Sequence, residues 1–329
     1  MKIAIDAMGG DHAPLEVAKG AILAANSRND IQIILIGNKE IISKALLDFD
    51  FSLPTNVEIF HTDKFITMND DPMSIVKEKS DSSMAIGLQM LKKGEVDAFL
   101  SAGNTGALHV GSTLTVRKIK GVRRSAIATV LPFPKPILML DAGANPTACA
   151  DVLQQWAILG SRYAELVLGV NNPSVGLLNI GVEENKGTAV HQEAYKLLAS
   201  DVRLSFVGNV ESSQIMFSPC DVLVTDGFSG NIVLKLFEGA GRYLQESLTK
   251  IYSQNAITKL SYLSVKESIS DFSKMFDSSV YGGAPLLGLS KPVIKAHGSS
   301  KATDIKNAIL EASKYYEFGV TQKMEAILQ

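Results

Sequence analysis

The chain has 329 residues, of which 46% are hydrophobic and 20% are charged. This length suits one large domain or two lobes, and the composition indicates a soluble globular protein rather than a disordered one. The formal net charge of -2 gives the whole molecule no attraction to nucleic acid or to anionic lipid, so an acidic partner would have to meet a local basic patch.

Two cysteines, Cys149 and Cys220, lie far apart and outside any Cys-x-x-Cys spacing. This pattern predicts neither a disulfide framework nor a zinc site and is typical of a reducing compartment. An acidic residue at position 6 comes too early for a signal peptide, and no apolar stretch is long enough to span a bilayer. We therefore expect a cytoplasmic protein.

Strand-like apolar runs alternate with amphipathic helical patterns along much of the chain. The predicted strands are residues 2–6, 31–37, 57–61, 96–101, 126–131, 137–141 and 174–180, and the predicted helices include residues 14–26, 80–93 and 151–168. In the first helix, Leu15, Ala18 and Ile22 share one face at spacings of three and four. The alternation predicts an α/β fold with a mostly parallel sheet and right-handed crossovers. We expect residues 1–329 to form a single two-lobed domain.

Residues 239–276 interrupt this alternation with two helical patterns and no convincing strand. One apolar face surrounds Leu248 and the other surrounds Ile269, which predicts a helical hairpin inserted in the domain. The tip, residues 256–265, is unusually apolar. Two interpretations stay open: a hairpin that packs on the body or on a second copy of the chain, and a tip that touches a membrane surface.

Seven apolar runs end directly in clusters of Gly, Asp, Asn or Ser. These polar ends lie at residues 6–11, 101–106, 141–145, 179–181, 208–209, 226–231 and 297–300. Such runs suit strands buried on both faces of a parallel sheet, and ligands bind outside the carboxyl ends of those strands. Backbone N–H groups in Gly-rich turns and at helix N-termini bind anions. The pattern predicts an enzyme that handles a small anionic group.

The strand ends supply the candidate anion-binding residues. Gly9 and Gly10 would let the backbone approach a ligand closely, and Asp11 or His12 could cap the helix that follows. Residues 101–106 have the composition of an anion-binding nest. Each cluster alone also suits an ordinary turn, but their number in one chain favours binding. The full set is Gly9, Gly10, Ser101, Gly103, Asn104, Thr105, Gly106, Asp141, Asn145 and Asp226.

Familiar nucleotide and hydrolase motifs are missing. No Gly-x-Gly-x-x-Gly follows a strand, and Lys186-Gly187 reverses the order that a phosphate loop of the Walker A type requires. Gly227-Phe-Ser-Gly230 is one residue too short for a nucleophile elbow, so Ser229 fits a turn or a helix cap better than a nucleophile. No His or carboxylate pair has metal-ligand spacing, and we expect no metal and no cofactor.

Histidines and a basic cluster complete the list of candidates. His12 and His297 lie in Gly-rich strand ends and suit acid–base chemistry, whereas His61 and His191 suit structural positions. The basic cluster is either a solvated loop or a docking patch for an acidic partner, and it lacks the interleaved aromatic residues of a nucleic-acid channel. Its members are Arg117, Lys118, Lys120, Arg123 and Arg124.

Several strings taken together resemble the PlsX family. They are IAIDAMGGDHAP at residues 3–14, DPMSI at 71–75, DSSM at 81–84, SAGNTGA at 101–107, DGFSGN at 226–231, YGGAPLLG at 281–288 and AHGSS at 296–300. The resemblance implies a phosphate acyltransferase of bacterial phospholipid synthesis, which converts acyl-[acyl carrier protein] and phosphate into acyl phosphate and free carrier protein. It also implies a homodimer with a three-layer α/β/α fold like that of isocitrate and isopropylmalate dehydrogenases, related to the phosphotransacetylases. Peripheral contact with the inner face of the membrane and a downstream glycerol-3-phosphate acyltransferase are further expectations.

The resemblance and the residues together give a working assignment of roles. Phosphate is assigned to residues 101–106, with Lys186 or His297 balancing its charge. His12 would assist proton transfer, and Asn209 and Asn231 would donate to the oxyanion. The carrier protein would dock on the basic cluster. The alternatives are an acyltransferase that uses coenzyme A, a non-catalytic membrane-associated scaffold, and, least supported, a dehydrogenase.

Overall fold

The computed structural model describes residues 1–274, 276 and 281–328, which divide into two compact units. The first unit comprises Met1–Ala128, Leu166–Gly169 and Tyr281–Gln329, and the second comprises Thr129–Glu165 and Val170–Val280. In chain order the elements are β1 (Lys2–Asp6), α1 (Leu15–Ser27), β2 (Gln32–Gly37), α2 (Lys39–Leu47), β3 (Val57–His61), α3 (Ser83–Lys93), β4 (Ala98–Ser101), α4 (Thr105–Gly111), β5 (Ala126–Leu131), β6 (Ile137–Leu140), α5 (Ala150–Leu166), β7 (Ser174–Asn179), α6 (Ala189–Ser200), β8 (Ser205–Glu211), β9 (Val222–Val224), α7 (Gly227–Tyr252), α8 (Ala256–Lys274), β10 (Ala284–Leu287), β11 (Val293–Lys295), α9 (Ala302–Glu317) and α10 (Val320–Leu328).

The first unit contains strands in the order β3-β2-β1-β4-β11-β10 and the beginning of β5, residues Ala126–Ala128. The first five of these strands run parallel, and β10 runs antiparallel to both of its neighbours. The register places Asp6 of β1 opposite Ser101 of β4, and Ser101 opposite Lys295 of β11. Three neighbouring strands therefore end at the same level, and the loops that follow them leave the sheet side by side.

Helices cover both faces of the sheet in the first unit. On one face, α1 and α9 pack over apolar strand residues such as Ile5 and Leu100. On the other face, α3 packs closely against β4 at Gly87. A Cβ atom at this position would lie only 2.0 Å from the Phe99 ring, so the close approach requires glycine. Burial on both faces explains why the strands read as continuous apolar runs. The predicted α/β class with a mostly parallel sheet is confirmed.

The second unit contains the strand order β6-β9-β7-β8, and all of these neighbours run parallel. Helix α5 packs closely on this sheet at Gly160, where a Cβ atom would lie 2.7 Å from Leu140 Cδ1 and 2.9 Å from Val222 Cγ1. Trp156 and Tyr163 of the same helix are fully buried. The carboxyl ends of the four strands share one edge of this sheet.

Some element boundaries differ from the prediction, and a local hydrogen bond explains one of them. Helix α7 begins at Gly227 instead of residue 239, because the Asp226 carboxylate caps it by accepting from Ser229 N at 2.7 Å. Strand β8 runs on to Glu211, so Asn209 lies inside the strand and does not end it. Pro14, without a side-chain bond, stands at the cap position of α1 that was expected for Asp11 or His12.

The predicted hairpin corresponds to α7 and α8 as far as these helices are described, and residues 275 and 277–280 lie outside the described residues. Among the helices that the structure describes, none combines the length and the apolar character needed to cross a bilayer.

Candidate active site

Three loops of the first unit follow the neighbouring strands β1, β4 and β11. We call them the first loop (residues 7–14), the second loop (residues 102–104) and the third loop (residues 296–301). A Cβ atom on Gly9 would lie 2.7 Å from Gly103 N, so the first and second loops touch through backbone. Asp11 N donates to Gly298 O at 2.8 Å, which joins the first loop to the third. Gly10, at a φ of 109°, adopts a conformation that side chains disfavour.

A buried carboxylate lies under the first and second loops. Asp6 is 2% exposed and accepts hydrogen bonds from Ser83 Oγ at 2.6 Å and from Ser101 Oγ at 2.8 Å. Ser101 Oγ in turn accepts from Gly103 N at 3.0 Å. Burial raises the pKa of the Asp6 carboxyl, and the two hydroxyl bonds and the charge of Lys295 oppose that shift. The predicted phosphate residue Ser101 is therefore committed to this network.

Asn104 uses its side chain to organise the second loop and a neighbouring segment. Its Oδ1 atom caps α4 by accepting from Ala107 N at 3.0 Å. Its Nδ2 atom donates to the carbonyls of Thr67, Met68 and Asp70 at 3.2–3.3 Å. The side-chain amide is thus occupied within the protein, and Asn104 shapes the loop through these bonds.

The donors that remain open at these loops are backbone amides. Among the described residues, the N–H groups of Gly9, Gly10, Thr105 and Gly106 have no hydrogen-bond partner. Unpaired N–H groups on Gly-rich turns and in a first helical turn are donors suited to an anion. These four residues belong to the predicted anion-binding set.

The two histidines predicted for acid–base chemistry lie on the same loops. His12 and His297 are both exposed, the first in the first loop and the second in the third loop. His297 Nδ1 accepts from Ser299 N at 3.2 Å and lies 2.8 Å from Ser299 Oγ. Because Nδ1 accepts a backbone proton, the neutral ring carries its own proton on Nε2.

The second unit places three predicted residues at one junction. Asp141 is fully buried, and its carboxylate accepts from Gly143 N, Ala144 N and Asn145 N at 2.7–3.1 Å and from Asn145 Nδ2 at 2.8 Å. Asn145 O accepts from Gly227 N at 2.8 Å, which ties this loop to the start of α7. The exposed side chain of Asn231 lies on the same helix, where a Cβ atom on Gly143 would meet it at 3.4 Å.

Two buried asparagines hold the loop that contains Lys186. Asn209 Nδ2 donates to Glu183 O at 2.8 Å, and Asn179 Nδ2 donates to Lys186 O at 3.2 Å. The Asn209 Oδ1 atom is buried and has no partner among the described residues. Lys186 itself is half exposed and lies 3.8 Å from Glu183. One N–H of Asn209 is therefore spent on the loop rather than on an oxyanion.

The basic cluster is mostly exposed and belongs to the first unit. Arg117 and Lys120 are exposed, whereas Lys118 Nζ donates to Arg123 O. Arg123 and Arg124 each interact with other residues of the chain.

One group of possible metal ligands arises from the fold rather than from sequence spacing. Glu40, His61 and Asp63 are exposed and lie within 4.8 Å of one another. His61 Nδ1 accepts from Lys39 N at 3.2 Å, so the neutral ring keeps a proton on Nε2. This hydrogen bond does not favour a metal.

Comparison with known proteins identifies the family. Residues 1–323 match the family model described as "Fatty acid synthesis protein". The phosphate acyltransferase of Thermoanaerobacterium thermosaccharolyticum is 45% identical over 327 residues, covering 99% of this chain and 96% of the relative. That of Fusobacterium nucleatum is 42% identical over 331 residues, covering 100% and 99%. The chain belongs to the PlsX family. It is therefore an acyltransferase, as the motifs predicted.

Solved structures agree on the fold of this PlsX protein. A phosphotransacetylase from Streptococcus pyogenes superposes with a TM-score of 0.62 at 16% identity, covering 96% of this chain and 94% of the other. A branched-chain phosphotransacylase from Enterococcus faecalis superposes with a TM-score of 0.57 at 15% identity, covering 96% and 99%. At such low identity the likeness establishes the fold alone.

Three residues of the site escaped the sequence analysis. Ser83 and Asn179 lie in segments that the sequence analysis singled out, residues 81–84 and 179–181, but neither was assigned a role, because Ser83 bonds to a residue far away in the chain and Asn179 to a loop carbonyl. Lys295 did carry one: a lysine ends the apolar run of β11, and lysine is rarely buried unless it is paired.

Proposed function

We propose that this PlsX protein transfers an acyl group from acyl-[acyl carrier protein] to inorganic phosphate, and that the acyl phosphate serves phospholipid synthesis. A phosphate oxygen attacks the thioester carbonyl carbon, a C–O bond forms, the C–S bond breaks, and the thiolate leaves to take up a proton. The observation that carries the proposal is the set of unpaired amide N–H groups on Gly9, Gly10, Thr105 and Gly106, in a chain whose curated relatives are phosphate acyltransferases.

The reaction needs positioning more than covalent help. Phosphate is already anionic near neutral pH and a thiolate is a fair leaving group, so holding the two reactants together supplies about 7–11 kcal/mol of the barrier reduction. Losing one oxyanion donor costs about 2.7–4 kcal/mol. Within the first unit we assign phosphate to the three loops, proton transfer to His12 and balance of the phosphate charge to His297. Within the second unit, Asn231 has an exposed side chain, and its role as an oxyanion donor and that of Lys186 as a counter-charge stay predictions from the sequence.

The decisive experiment follows thiol release and acyl phosphate formation from acyl-[acyl carrier protein] with and without inorganic phosphate. We expect release to require phosphate and acyl phosphate to form in equal amount. A parallel reaction with acyl-coenzyme A tests the coenzyme A alternative. Absence of any phosphate-dependent release from either donor would leave a non-catalytic scaffold and overturn the proposal.

We propose that the acidic carrier protein docks on the basic cluster. Arg117→Glu combined with Lys120→Glu should raise the KM for the carrier substrate by about fivefold or more, because two exposed attractive charges become repulsive. The KM for phosphate should not change. Lys323→Glu on α10 is the control, since it reverses an exposed charge elsewhere on the first unit. An unchanged KM for the carrier in the double variant would exclude this surface.

Two apolar surfaces of the second unit support a homodimer and peripheral membrane contact. Helix α7 carries Phe228, Ile232, Leu236 and Tyr243 on one face, each more than half exposed. Such a stripe fits a second copy of the chain. Leu260 near the hairpin tip is 71% exposed and fits a lipid surface, where a cytoplasmic enzyme would pass acyl phosphate to a glycerol-3-phosphate acyltransferase.

The two surfaces make opposite predictions for two leucines. Leu236→Glu should shift a dimer to a monomer in sedimentation without affecting vesicle binding per chain. Leu260→Glu should reduce binding to anionic vesicles several-fold and leave the dimer intact. A dimer that survives Leu236→Glu would show that the stripe is not the interface.

A further inference from the structure

Lys295 is a buried lysine to which the mechanism above gives no role. It ends β11 with only 9% of its surface exposed. An ammonium group is costly to remove from water unless hydrogen bonds and an opposite charge compensate it. Its Nζ atom donates to Ala102 O at 3.1 Å and also to Ala296 O. These carbonyls belong to the first residues of the second and third loops, so one side chain joins both loops.

Asp6 supplies the opposite charge in the same row of the sheet. Ser101 of β4 is paired with Asp6 on one side and with Lys295 on the other. Residues level with one another in neighbouring parallel strands project from the same face, and the 2.8 Å bond between Ser101 and Asp6 agrees with this. Burial raises the pKa of the Asp6 carboxyl, and the positive charge of Lys295 is one of the influences that oppose that shift. An acidic and a basic side chain are therefore buried in the same row of the sheet, where the three loops begin.

The position of Asp6 creates an electrostatic problem for an anion site. A Cβ atom would lie 2.5 Å from Asp6 Oδ2 if built on Gly9 and 3.3 Å if built on Gly103, so both loop backbones rest against the carboxylate. Charges separated by protein rather than water interact strongly, and an ionised Asp6 would repel phosphate. A compensating positive charge is needed, and Lys295 is placed to provide it.

We propose that Lys295 is a positioning residue of the phosphate site: its charge compensates Asp6, and its two hydrogen bonds hold the second and third loops in the arrangement that binds phosphate. The inference rests on the proposed function in taking inorganic phosphate as the anion.

A double-mutant cycle tests charge compensation against a merely structural role. The variants are Asp6→Asn, Lys295→Gln, which keeps a hydrogen-bond donor without the charge, and the two combined. Lys291→Gln is the matched control, because Lys291 Nζ also donates to a backbone carbonyl, Leu91 O at 2.7 Å, but away from the loops. The readouts are the KM for phosphate, the KM for the acyl donor, and the rise in Tm that inorganic phosphate alone produces.

Lys295→Gln should raise the KM for phosphate about tenfold or more and abolish most of the phosphate-induced rise in Tm, with the KM for the acyl donor within about twofold. Asp6→Asn combined with Lys295→Gln should bind phosphate better than Lys295→Gln alone, because both charges are then gone. The proposal fails if Lys295→Gln binds phosphate as the wild type does. It also fails if the fold-increase in the KM for phosphate in the double variant equals the product of the fold-increases in the two single variants. If the wild type binds phosphate but transfers no acyl group, the proposed function fails while the Tm measurements still decide the role of Lys295.

Discussion

Gly230→Ala is expected to lower the free energy of unfolding by about 3 kcal/mol, the upper end of the range for overpacked sites, and to abolish acyl transfer. A Cβ atom at this position would lie 2.0 Å from Asp141 O and 3.0 Å from Thr225 Cγ2. A backbone oxygen cannot rotate away as a side chain can, so either α7 or the loop after β6 would have to move. That junction also contains the bond from Gly227 N to Asn145 O, which the movement would break.

Gly239→Ala in the same helix provides the matched control. Among the described residues, no atom outside the surrounding turns of the helix lies within 4 Å of a Cβ atom built on Gly239. Alanine is also more favourable than glycine inside a helix by about 0.5–1 kcal/mol. This variant should be slightly more stable than the wild type in urea unfolding and should retain full activity. If Gly230→Ala unfolded at the same urea concentration as the wild type, the start of α7 would not be packed closely against Asp141.

Asn104→Ala should cost about 2–3 kcal/mol of stability and reduce acyl transfer severely. Loss of a helix cap costs about 0.5–2 kcal/mol, and the hydrogen bonds to carbonyls contribute about 0.5–1.5 kcal/mol each. The helix that starts at Thr105 would lose its cap, and residues 67–70 would lose their connection to the second loop. Urea unfolding measures the first effect and phosphorolysis kinetics the second.

Asn104→Asp separates the two tasks of this side chain. An aspartate keeps the oxygen that caps Ala107 N but directs a second oxygen at the carbonyls of residues 67, 68 and 70, which repel it. We expect Asn104→Asp to be as inactive as Asn104→Ala, whereas a role limited to capping predicts that it retains activity. Hydrogen exchange in residues 67–70 should increase in both variants. If residues 67–70 exchanged hydrogen at the wild-type rate in both variants, the Asn104 side chain would not be what holds that segment.

The strands were predictable because a strand that is buried on both faces has a continuous run of apolar residues. β1 and β3 have the predicted limits, residues 2–6 and 57–61. The polar strand ends were also predictable from the sequence. Those after β1, β4 and β11 follow strands that are neighbours in the sheet. The start of α7 was missed because residues 226–231 read as a turn. In the structure Asp226 is the N-cap residue of this helix.

The sequence could not show which polar residues contact a ligand and which support a loop. Asn104, Asp141 and Asn209 have the residue types of ligand-binding groups, yet each directs hydrogen bonds into a loop backbone. Composition is the same whether a side chain contacts a ligand or supports the loop that does. Only long-range neighbours distinguish the two, such as Ser83, which is 77 residues from its partner Asp6.

The two cysteines have opposite surroundings. Cys220 is buried, and burial raises the pKa of its thiol to about 12, so it stays protonated and shielded. Cys149 is exposed, four residues beyond Asn145, on the loop that Asp141 folds. A thiol-specific fluorophore or spin label should therefore attach at a single place in the unaltered protein. The native chain thus contains its own reporter for motion of this loop when phosphate or an acyl donor is added.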